Sequence, residues 1–528
     1  MDTFIHAAGY IASPFSGYVY PNETVLSWGV LIVIYPYITG LVAGAFIVSS
    51  LYHTFGMEQF KPVARLALLS ALSFLCFAPV ALLSHLGHPE RAFEAIWTPH
   101  WTSAFAAFGY VAGFYAILLV LEIWFAFRVD IVAMAHTSRG AMGRIYRLLT
   151  LGSYDISERA LAYDRKWTQI LAAIGIASAA GLHGYVGFVF GSLKSREWWS
   201  SDLMPIIFIL SAIVSGVAVL TLIYVVSSNV RKAAIDDNCV KGLARVLWAF
   251  LIVTLVIEAL EYAEMLYRRI EGVEMVKHLI AGPISVGLAI QVVFSAIPLV
   301  ILTVLLARNV RGRALVGWMS FCAVLLMSAV LAMRWNVVIG GQELSKTAKG
   351  LITYTPPVWG REGVVWALSL FSGTFALLWA MTRLLPPWSL SECRNEGETM
   401  SKLNWVKLGL IPFIAIIAGC TKQVSFKNDI FPILQERCLV CHAPGAPGCL
   451  TSGLSMATYD SLMKGTKFGP MIIPGNSLDS NLLRLVKHQA DPSIAMPRSL
   501  TPGEPSGWLK PGQISLIENW INQGAKDN

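Results

Sequence analysis

The sequence predicts an all-α polytopic membrane helical bundle followed by a small, mainly α soluble domain. Of its 528 residues, 55% are hydrophobic and 14% are charged, an average typical of an integral membrane protein. The average conceals a sharp division. Apolar stretches dominate from about Ser27 to about Leu385, whereas the chain from Thr421 onward has the composition of a soluble domain. A cysteine and histidine motif in that second part indicates its chemistry.

About nine stretches of the first part are long enough to cross a bilayer, which takes about 20 apolar residues in a helix. They lie near residues 27–52, 62–87, 103–127, 167–191, 204–229, 241–266, 279–307, 314–338 and 363–385. A short tenth stretch, Val406–Gly419, precedes the soluble part. We therefore expect a membrane domain at 1–390, a linker at 391–420 and a soluble domain at 421–528.

Lys and Arg gather in alternate loops, which the positive-inside rule places in the cytoplasm. The loop after the third predicted span, about residues 128–166, is the most basic, and the loops after the fifth and seventh spans are also basic. The N-terminal 26 residues contain no Lys or Arg. We therefore predict an N-terminus on the outer face of a bacterial cytoplasmic membrane. The basic loops account for the net charge of +8, so that charge does not indicate a nucleic-acid partner.

The motif Cys438-Leu439-Val440-Cys441-His442 is the attachment signature of a c-type haem. Two thiols at this spacing form thioethers to the haem vinyl groups, and the following histidine ligates the iron. A zinc site would need a second Cys/His pair, and the downstream Cys449 and His488 do not have paired spacing. A thioredoxin-like redox site would need a βαβ context, which is absent. We predict one covalent haem c on Cys438 and Cys441, with His442 as an axial iron ligand.

The haem motif also constrains topology, because c-type haem is attached outside the cytoplasmic membrane. Nine spans starting outside leave residues 386–404 inside, so the chain must cross again. Val406–Gly419 is the candidate, and it ends Ile417-Ala418-Gly419-Cys420 in the layout of a bacterial lipoprotein signal peptide. Two alternatives remain open: a thin tenth span, or a signal sequence cleaved before a lipidated Cys420. Both place residues 421–528 on the periplasmic face.

Ionisable groups inside spans are costly and usually functional. Most of those in this chain fall in the predicted outer half, together with one buried amide: His85, His183, Glu258, Glu261, Glu264, His278, Arg334 and Asn336. Carboxylates beside histidines suit a site that takes protons from a reduced ligand and passes them outward. We expect Glu258 to be functional, Glu264 to be paired near the interface, and Glu122, in the inner part of the third span, to be satisfied locally.

Three segments resemble the NrfD/polysulfide reductase membrane subunit family. They are Leu83-Ser84-His85-Leu86-Gly87-His88-Pro89-Glu90-Arg91, His183-Gly184-Tyr185-Val186-Gly187-Phe188 and Arg334-Trp335-Asn336-Val337-Val338-Ile339-Gly340-Gly341-Gln342. The resemblance covers about residues 25–390 and is greatest to the longer branch found in sulfite-reduction-associated and high-molecular-weight cytochrome complexes. It implies a helical bundle that binds quinone near the outer face and works with iron–sulfur or multihaem partner subunits.

By position, the resemblance implies catalytic or proton-path roles for Glu258, His183, His85 and Arg334, and it implies quinone contacts for Tyr35 and Asn336. His85 stands where the family's Asp-Leu-Gly-x-Pro pattern has its acid. The expected substrate is a quinone, taken as menaquinone.

The tail resembles small monohaem c-type domains fused to bacterial proteins. The matches include Ile430-Phe431-Pro432-Ile433-Leu434, Met496-Pro497 and a closing segment from Ile517 to Ala525. The resemblance favours Met496 as the sixth iron ligand, because a thioether raises the haem potential as an acceptor from quinol requires. Met471 and His488 remain alternatives.

Together these features predict a membrane subunit of a quinone-linked respiratory oxidoreductase. It would exchange electrons between the quinone pool and the periplasmic haem, with protons released or taken up at the outer face. Two other functions remain open: a membrane anchor or assembly platform of a larger redox complex, and a transporter whose haem domain senses redox state. A transporter would favour internal repeats with broken helices, and the sequence has no clear repeat.

Overall fold

The computed structural model describes residues 26–267, 273–344, 351–352, 354–388, 424–477, 480–487, 494, 496–497 and 509–528. The chain divides into two compact units, the first within Met1–Ser401 and the second within Lys402–Asn528. Across the described residues the only β pairing consists of isolated bridges. The predicted tenth span Val406–Gly419, Cys420 and His488 lie outside the described residues.

The first unit is a bundle of long helices. In chain order they are α1 Val30–His53, α2 Lys61–His85, α3 Phe108–Thr137, α4 Gly140–Leu149, α5 Glu158–Gly191, α6 Met204–Val230, α7 Asp237–Tyr267, α8 Val273–Ala281, α9 Ser285–Ala307, α10 Gly312–Trp335 and α11 Val364–Leu384. Within the described ranges, eight helices are long and apolar enough to cross a membrane: α1, α2, α5, α6, α7, α9, α10 and α11. The 30-residue α3 occupies the place of the third predicted span. Each of the nine longer predicted spans therefore corresponds to a helix of the bundle.

Helices α3 and α5 extend well beyond the predicted spans at their shared end. We expected the third span to stop near residue 127 and the fourth to begin near 167, but α3 continues to Thr137 and α5 begins at Glu158. The Arg128 guanidinium donates to both oxygens of Asp164 at 2.8 and 2.9 Å and to the backbone oxygen of Asp155 at 2.6 Å. Because this buried pair neutralises its own charge, both helices can continue past the apolar segment.

Helix α1 lies at the centre of the bundle, with nearly all of its side chains buried. It meets α6 backbone to backbone, since a Cβ on Gly44 would lie 2.2 Å from the Ala212 oxygen and a Cβ on Gly216 would lie 2.4 Å from the Gly44 Cα. Small residues at such a crossing permit close helix packing in membranes. The contact turns Phe208 and Ser211 of α6 into the bundle interior, where both side chains are buried.

Helix α10 continues into a π-helical segment, Asn336–Gly340, and a short helical turn, Gly341–Glu343. The wider turn is supported by Trp199, whose indole N–H donates to the Val337 oxygen at 2.6 Å. Gly341 allows this contact, because a Cβ there would lie 1.9 Å from the indole nitrogen. Single π-helical turns frequently occur at functional sites.

The second unit consists of short helices: α12 Phe431–Arg437, α13 Leu439–His442, α14 Pro447–Ser452, α15 Tyr459–Lys464, α16 Asn481–Val486 and α17 Pro511–Asn522. Its first and last segments pack together. Trp520 of α17 is fully buried against Phe426, with ring centroids 5.3 Å apart. The hydroxyl of Tyr459 donates to the Ala525 oxygen at 2.7 Å, which closes the C-terminal end onto the same core.

Candidate functional site

Arg334, near the end of α10, is fully buried in the membrane unit. Its Nη2 lies 2.9 Å from Nε2 of His183 on α5 and 2.8 Å from Oγ of Ser211 on α6. The guanidinium carbon lies 3.9 Å from the centroid of the Phe208 ring. Among the described residues no carboxylate lies within ion-pair distance of this cation. Neutral acceptors and an aromatic face therefore hold a buried positive charge.

The Arg334 contact determines which His183 nitrogen carries the proton. Arginine can only donate, so Nε2 of His183 must accept and the neutral ring carries its proton on Nδ1. That buried Nδ1–H has no hydrogen-bond partner among the described residues, and neither does Nε–H of Arg334. Buried donors are almost always paired in proteins. Two buried N–H groups of this pair thus lack an acceptor among the described residues.

Glycines position this pair by allowing neighbouring helices to approach closely. A Cβ on Gly40 of α1 would lie 3.4 Å from the His183 ring. On α5, a Cβ on Gly187 would lie 2.7 Å from the backbone of Met204 and Pro205 at the start of α6. A side chain on Gly187 would push α5 away from α6, so this close packing contributes to the distance between His183 on α5 and Arg334.

Asn336 begins the π-helical segment and belongs to a second buried network. Its Nδ2 donates to Oε1 of Gln291 on α9 at 2.9 Å, and Nε2 of Gln291 donates to Oε2 of Glu258 on α7 at 2.9 Å. Oδ1 of Asn336 has no partner among the described residues. Gly287 makes room for it, because a Cβ there would lie 2.3 Å from that oxygen. The half-buried Glu258 carboxylate is thereby linked to a buried, unpaired acceptor.

The two networks lie on different sides of α10. Residues two apart on a helix point roughly 200° apart, so Arg334 faces α5 and α6 whereas Asn336 faces α7 and α9. The structure therefore brings His183 to Arg334, and it connects Glu258 to Asn336 through Gln291.

His85 joins neither network. Its Nδ1 lies 3.0 Å from Oε1 of Glu362, and the two side chains are 18% and 41% exposed. Tyr35 is buried on α1, its ring 6.0 Å from that of Phe108, and its hydroxyl makes no hydrogen bond within the described parts. The role that the resemblance implied for each of these residues stays a prediction.

The other acidic residues of α7 differ from one another. Glu261 is buried and accepts a hydrogen bond from the Ser201 hydroxyl at 2.7 Å, whereas Glu264 is exposed. Glu258 is linked through Gln291 to the buried Asn336 amide.

The expectation that Glu122 is satisfied locally is wrong. Its side chain is fully buried in α3, and neither carboxyl oxygen has a hydrogen-bond partner among the described residues. The hydroxyl of Tyr115, two turns away on α3, is also unpaired, and that ring packs edge-on against Phe46 of α1 at 5.5 Å.

Sequence reasoning missed Ser211, Gln291 and Glu362 as partners of the predicted residues. Gln291 carried a usable signal, because a primary amide in the middle of a membrane span needs partners. Ser211 gave no such signal, because serine is common in membrane helices and usually donates to the backbone of its own helix. The Ser211 hydroxyl also does this, donating to the Ile207 oxygen at 2.7 Å.

The residues of the second unit fit a covalently attached haem. Backbone bonds from Cys441 N and His442 N to Cys438 O, at 3.1 and 2.9 Å, form one tight turn that carries both thiols and the imidazole. Nδ1 of His442 lies 3.2 Å from the Leu454 oxygen and donates to it, which leaves the Nε2 lone pair free for iron. Gly448 allows the next helix to close over this turn, because a Cβ there would lie 3.1 Å from Cε1 of His442.

The candidate sixth ligands differ in their surroundings. The side chain of Met471 is buried and belongs to the hydrophobic core of the unit. Met496 is half-buried, outside that core, and its backbone N–H donates to the Leu485 oxygen at 3.2 Å. Its thioether is therefore not part of the core packing, and its role as an iron ligand stays a prediction.

The chain resembles known proteins in both units. The family described as polysulphide reductase, NrfD, matches residues 20–345, and the family described as planctomycete cytochrome C matches residues 438–499. A selenate reductase subunit of Mesobacillus selenatarsenatis is 32% identical over 320 residues, 59% of this chain and 73% of that protein.

Two further relatives are described as membrane subunits. A putative dimethyl sulfoxide reductase membrane subunit of Halobacterium salinarum is 28% identical over 235 residues, 43% of this chain and 50% of that protein. The Hdr-like menaquinol oxidoreductase integral membrane subunit of Archaeoglobus fulgidus is 24% identical over 388 residues, 70% of this chain and 88% of that protein. Since the NrfD match covers more than half of its length, this multi-pass membrane chain belongs to the polysulphide reductase NrfD family and carries a c-type cytochrome domain at its C-terminal end.

Proposed function

We propose that this chain is the quinone-handling membrane subunit of a respiratory oxidoreductase of the bacterial inner membrane. Electrons pass between the quinone pool and the haem of the periplasmic domain, and on to partner redox proteins. The observation that carries the proposal is the buried His183–Arg334 pair, whose two N–H groups have no partner among the described residues.

These donors suit a quinone headgroup. A quinone carbonyl oxygen accepts hydrogen bonds, and His183 Nδ1–H and Arg334 Nε–H are both available to it. Oxidation of a quinol to a quinone releases two electrons and two protons, and negative charge develops on the oxygen as its proton leaves. The unpaired charge of Arg334 favours that change, because a buried guanidinium without a carboxylate attracts a group that becomes anionic.

We assign the proton-accepting role to Glu258, which lies in the network on the opposite side of α10 from the His183–Arg334 pair. Gln291 holds one carboxylate oxygen of Glu258, whereas the other, Oε1, makes no hydrogen bond among the described residues and can take a proton. Gln291 also fixes the Asn336 amide so that its free oxygen can accept a hydrogen bond from a hydroxyl group. In this arrangement Glu258 is the acid–base group, and Gln291 and Asn336 are positioning residues.

The relatives support the same function. One is named a menaquinol oxidoreductase subunit, and the others are named subunits of selenate and dimethyl sulfoxide reductases. We infer that menaquinone is the quinone used here and that iron–sulfur or multihaem subunits are the partners. A haem bound there would accept or donate one electron at a time on the outer face.

A matched pair of His183 variants tests the quinone site. In His183→Gln the side-chain oxygen can still accept from Arg334, but the donor at the Nδ1 position is lost. In His183→Asn the amide nitrogen replaces the Nδ1 donor, but the acceptor toward Arg334 is lost. We expect His183→Gln to weaken binding of a menaquinone analogue to the purified full chain by about tenfold, the effect of one lost hydrogen bond in a buried site. His183→Asn retains the tighter binding of the two. Equal affinity of wild type and His183→Gln would contradict this site.

Electron transfer is tested by adding a reduced menaquinol analogue to the purified chain and following haem reduction by absorbance. We expect rapid reduction, with Glu258→Gln slowing it while the Gln291 hydrogen bond is retained. The control is His136→Gln, an exposed residue near the far end of α3. If quinol binds but haem is reduced only after partner proteins are added, the chain is an assembly platform. If quinol does not bind at all, a redox-sensing transporter becomes the better explanation.

A further inference from the structure

A cavity of about 390 Å³ lies where α7 and α10 begin and α9 ends. Its walls come from three turns of α7, the last turn of α9 with the loop that follows, and the first turn of α10. The lining residues are Lys241, Arg245, Trp248, Ala249, Leu305, Leu306, Asn309 and Leu315. The positive-inside rule assigns this end of the bundle to the cytoplasmic interface.

The cavity combines two cations with an apolar wall. Lys241 is 8% exposed, and its Nζ donates to Oδ1 of Asn309 at 2.6 Å, an uncharged partner. Arg245, one turn further along α7, is exposed and makes no hydrogen bond or ion pair within the described parts of the chain. No described carboxylate lies within ion-pair distance of either cation. The cavity therefore holds two positive charges without a counter-charge from the protein.

The aromatic and aliphatic lining indicates what supplies the counter-charge. Trp248 donates its indole N–H to Oγ1 of Thr303 at 2.9 Å, which fixes its ring beside the cations. Tryptophan is enriched at the membrane interface, and the half-buried Leu306 adds an apolar side chain to the cavity wall. Basic pockets between helices on the cytoplasmic side suit anionic lipid head groups.

We propose that this cavity binds the headgroup of an anionic glycerophospholipid. Its phosphate contacts Lys241 and Arg245, and its acyl chains lie along Trp248 and Leu306. The three helices around the cavity also carry Glu258, Gln291 and Asn336 toward their opposite ends, roughly 20–30 Å away at 1.5 Å per residue. A lipid bound here contacts α7, α9 and α10 at one end of the bundle. The same helices hold the network of Glu258, Gln291 and Asn336 near the opposite end.

The test is a lipid titration of the purified full chain followed by native mass spectrometry. Phosphatidylglycerol and phosphatidylcholine with the same acyl chains are compared. We expect tighter retention of one phosphatidylglycerol, and about fivefold weaker binding of it in Arg245→Gln, as one interfacial cation contributes about that factor. Arg245 has no partner to lose, so this variant should fold normally. Arg245→Lys keeps the charge and should bind within twofold of wild type.

The matched control is Arg144→Gln, which removes an exposed cation from α4 at the same predicted face but outside the cavity. Equal retention of both lipids by wild type, or an equal loss in Arg144→Gln and Arg245→Gln, would overturn the proposal. Inorganic phosphate added to the chain in phosphatidylcholine nanodiscs identifies the source of the anion. If phosphate alone raises the unfolding temperature as much as phosphatidylglycerol does, the cavity binds a free anion and the lipid assignment is wrong.

Discussion

Replacing Gln291 with methionine breaks the connection between Asn336 and Glu258 without changing the volume of the side chain greatly. Two interhelical hydrogen bonds of 2.9 Å are lost, and Asn336 then has no side-chain partner among the described residues. Interhelical hydrogen bonds in membranes contribute about 0.6 kcal/mol on average and about 1.7 at most. We therefore expect the free energy of unfolding to fall by about 1–3 kcal/mol.

The functional effect of Gln291→Met should exceed this structural one. If Gln291 positions the carboxylate that takes the quinol proton, haem reduction by a menaquinol analogue should slow by roughly 10²-fold, the lower range for a positioned acid–base group. The assay is stopped-flow absorbance of the haem, with thermal unfolding measured on the same preparation. Ser295→Ala, one turn along α9 and also buried, is the control and should keep the rate within twofold. A Gln291→Met chain that folds and reduces haem at the wild-type rate would refute the role of this network.

Three further changes test other parts of the structure. Gly216→Val places side-chain atoms inside the α1 backbone, so we expect at least about 1–3 kcal/mol of destabilisation in thermal unfolding; an unchanged unfolding temperature would contradict the close crossing. Arg128→Met leaves Asp164 buried without its cation and should cost about 3–5 kcal/mol by the same measurement. Met496→Leu should abolish the absorption band of a methionine-ligated ferric haem and lower the potential, whereas Met471→Leu should change neither; the reverse result would assign Met471 as the ligand.

The overall fold could be predicted because membrane spans are encoded locally. A run of about 20 apolar residues must form a helix in the bilayer, since its backbone groups have no other partners, and each of the nine longer predicted spans corresponds to a helix. Helix ends were less predictable. The extension of α3 and α5 depends on Arg128 meeting Asp164, 36 residues away, and composition alone gives no indication of that pairing.

The sequence identified the residues of the candidate site but did not predict how they are arranged. His183, Glu258, Arg334 and Asn336 stood out because ionisable and amide side chains in spans are costly. Which of them meet could not be predicted, as His183 and Arg334 are 151 residues apart and meet only because α5, α6 and α10 pack together. The expectation for Glu122 was wrong for the same reason. Whether a buried carboxyl group finds a hydrogen-bond partner depends on the neighbouring helices.

By itself, the sequence determined the helical class of the membrane part, the attachment motif at Cys438–His442 and the identities of the polar residues within the spans. These features depend on local chemistry: the length of an apolar run, the spacing of two thiols and a histidine, and the cost of charge in lipid. Only the tertiary structure decided that Arg334 contacts His183 rather than a carboxylate, and that Gln291 lies between Asn336 and Glu258. Those contacts depend on how closely the helices approach, which glycines such as Gly44 and Gly216 allow and which no single span encodes.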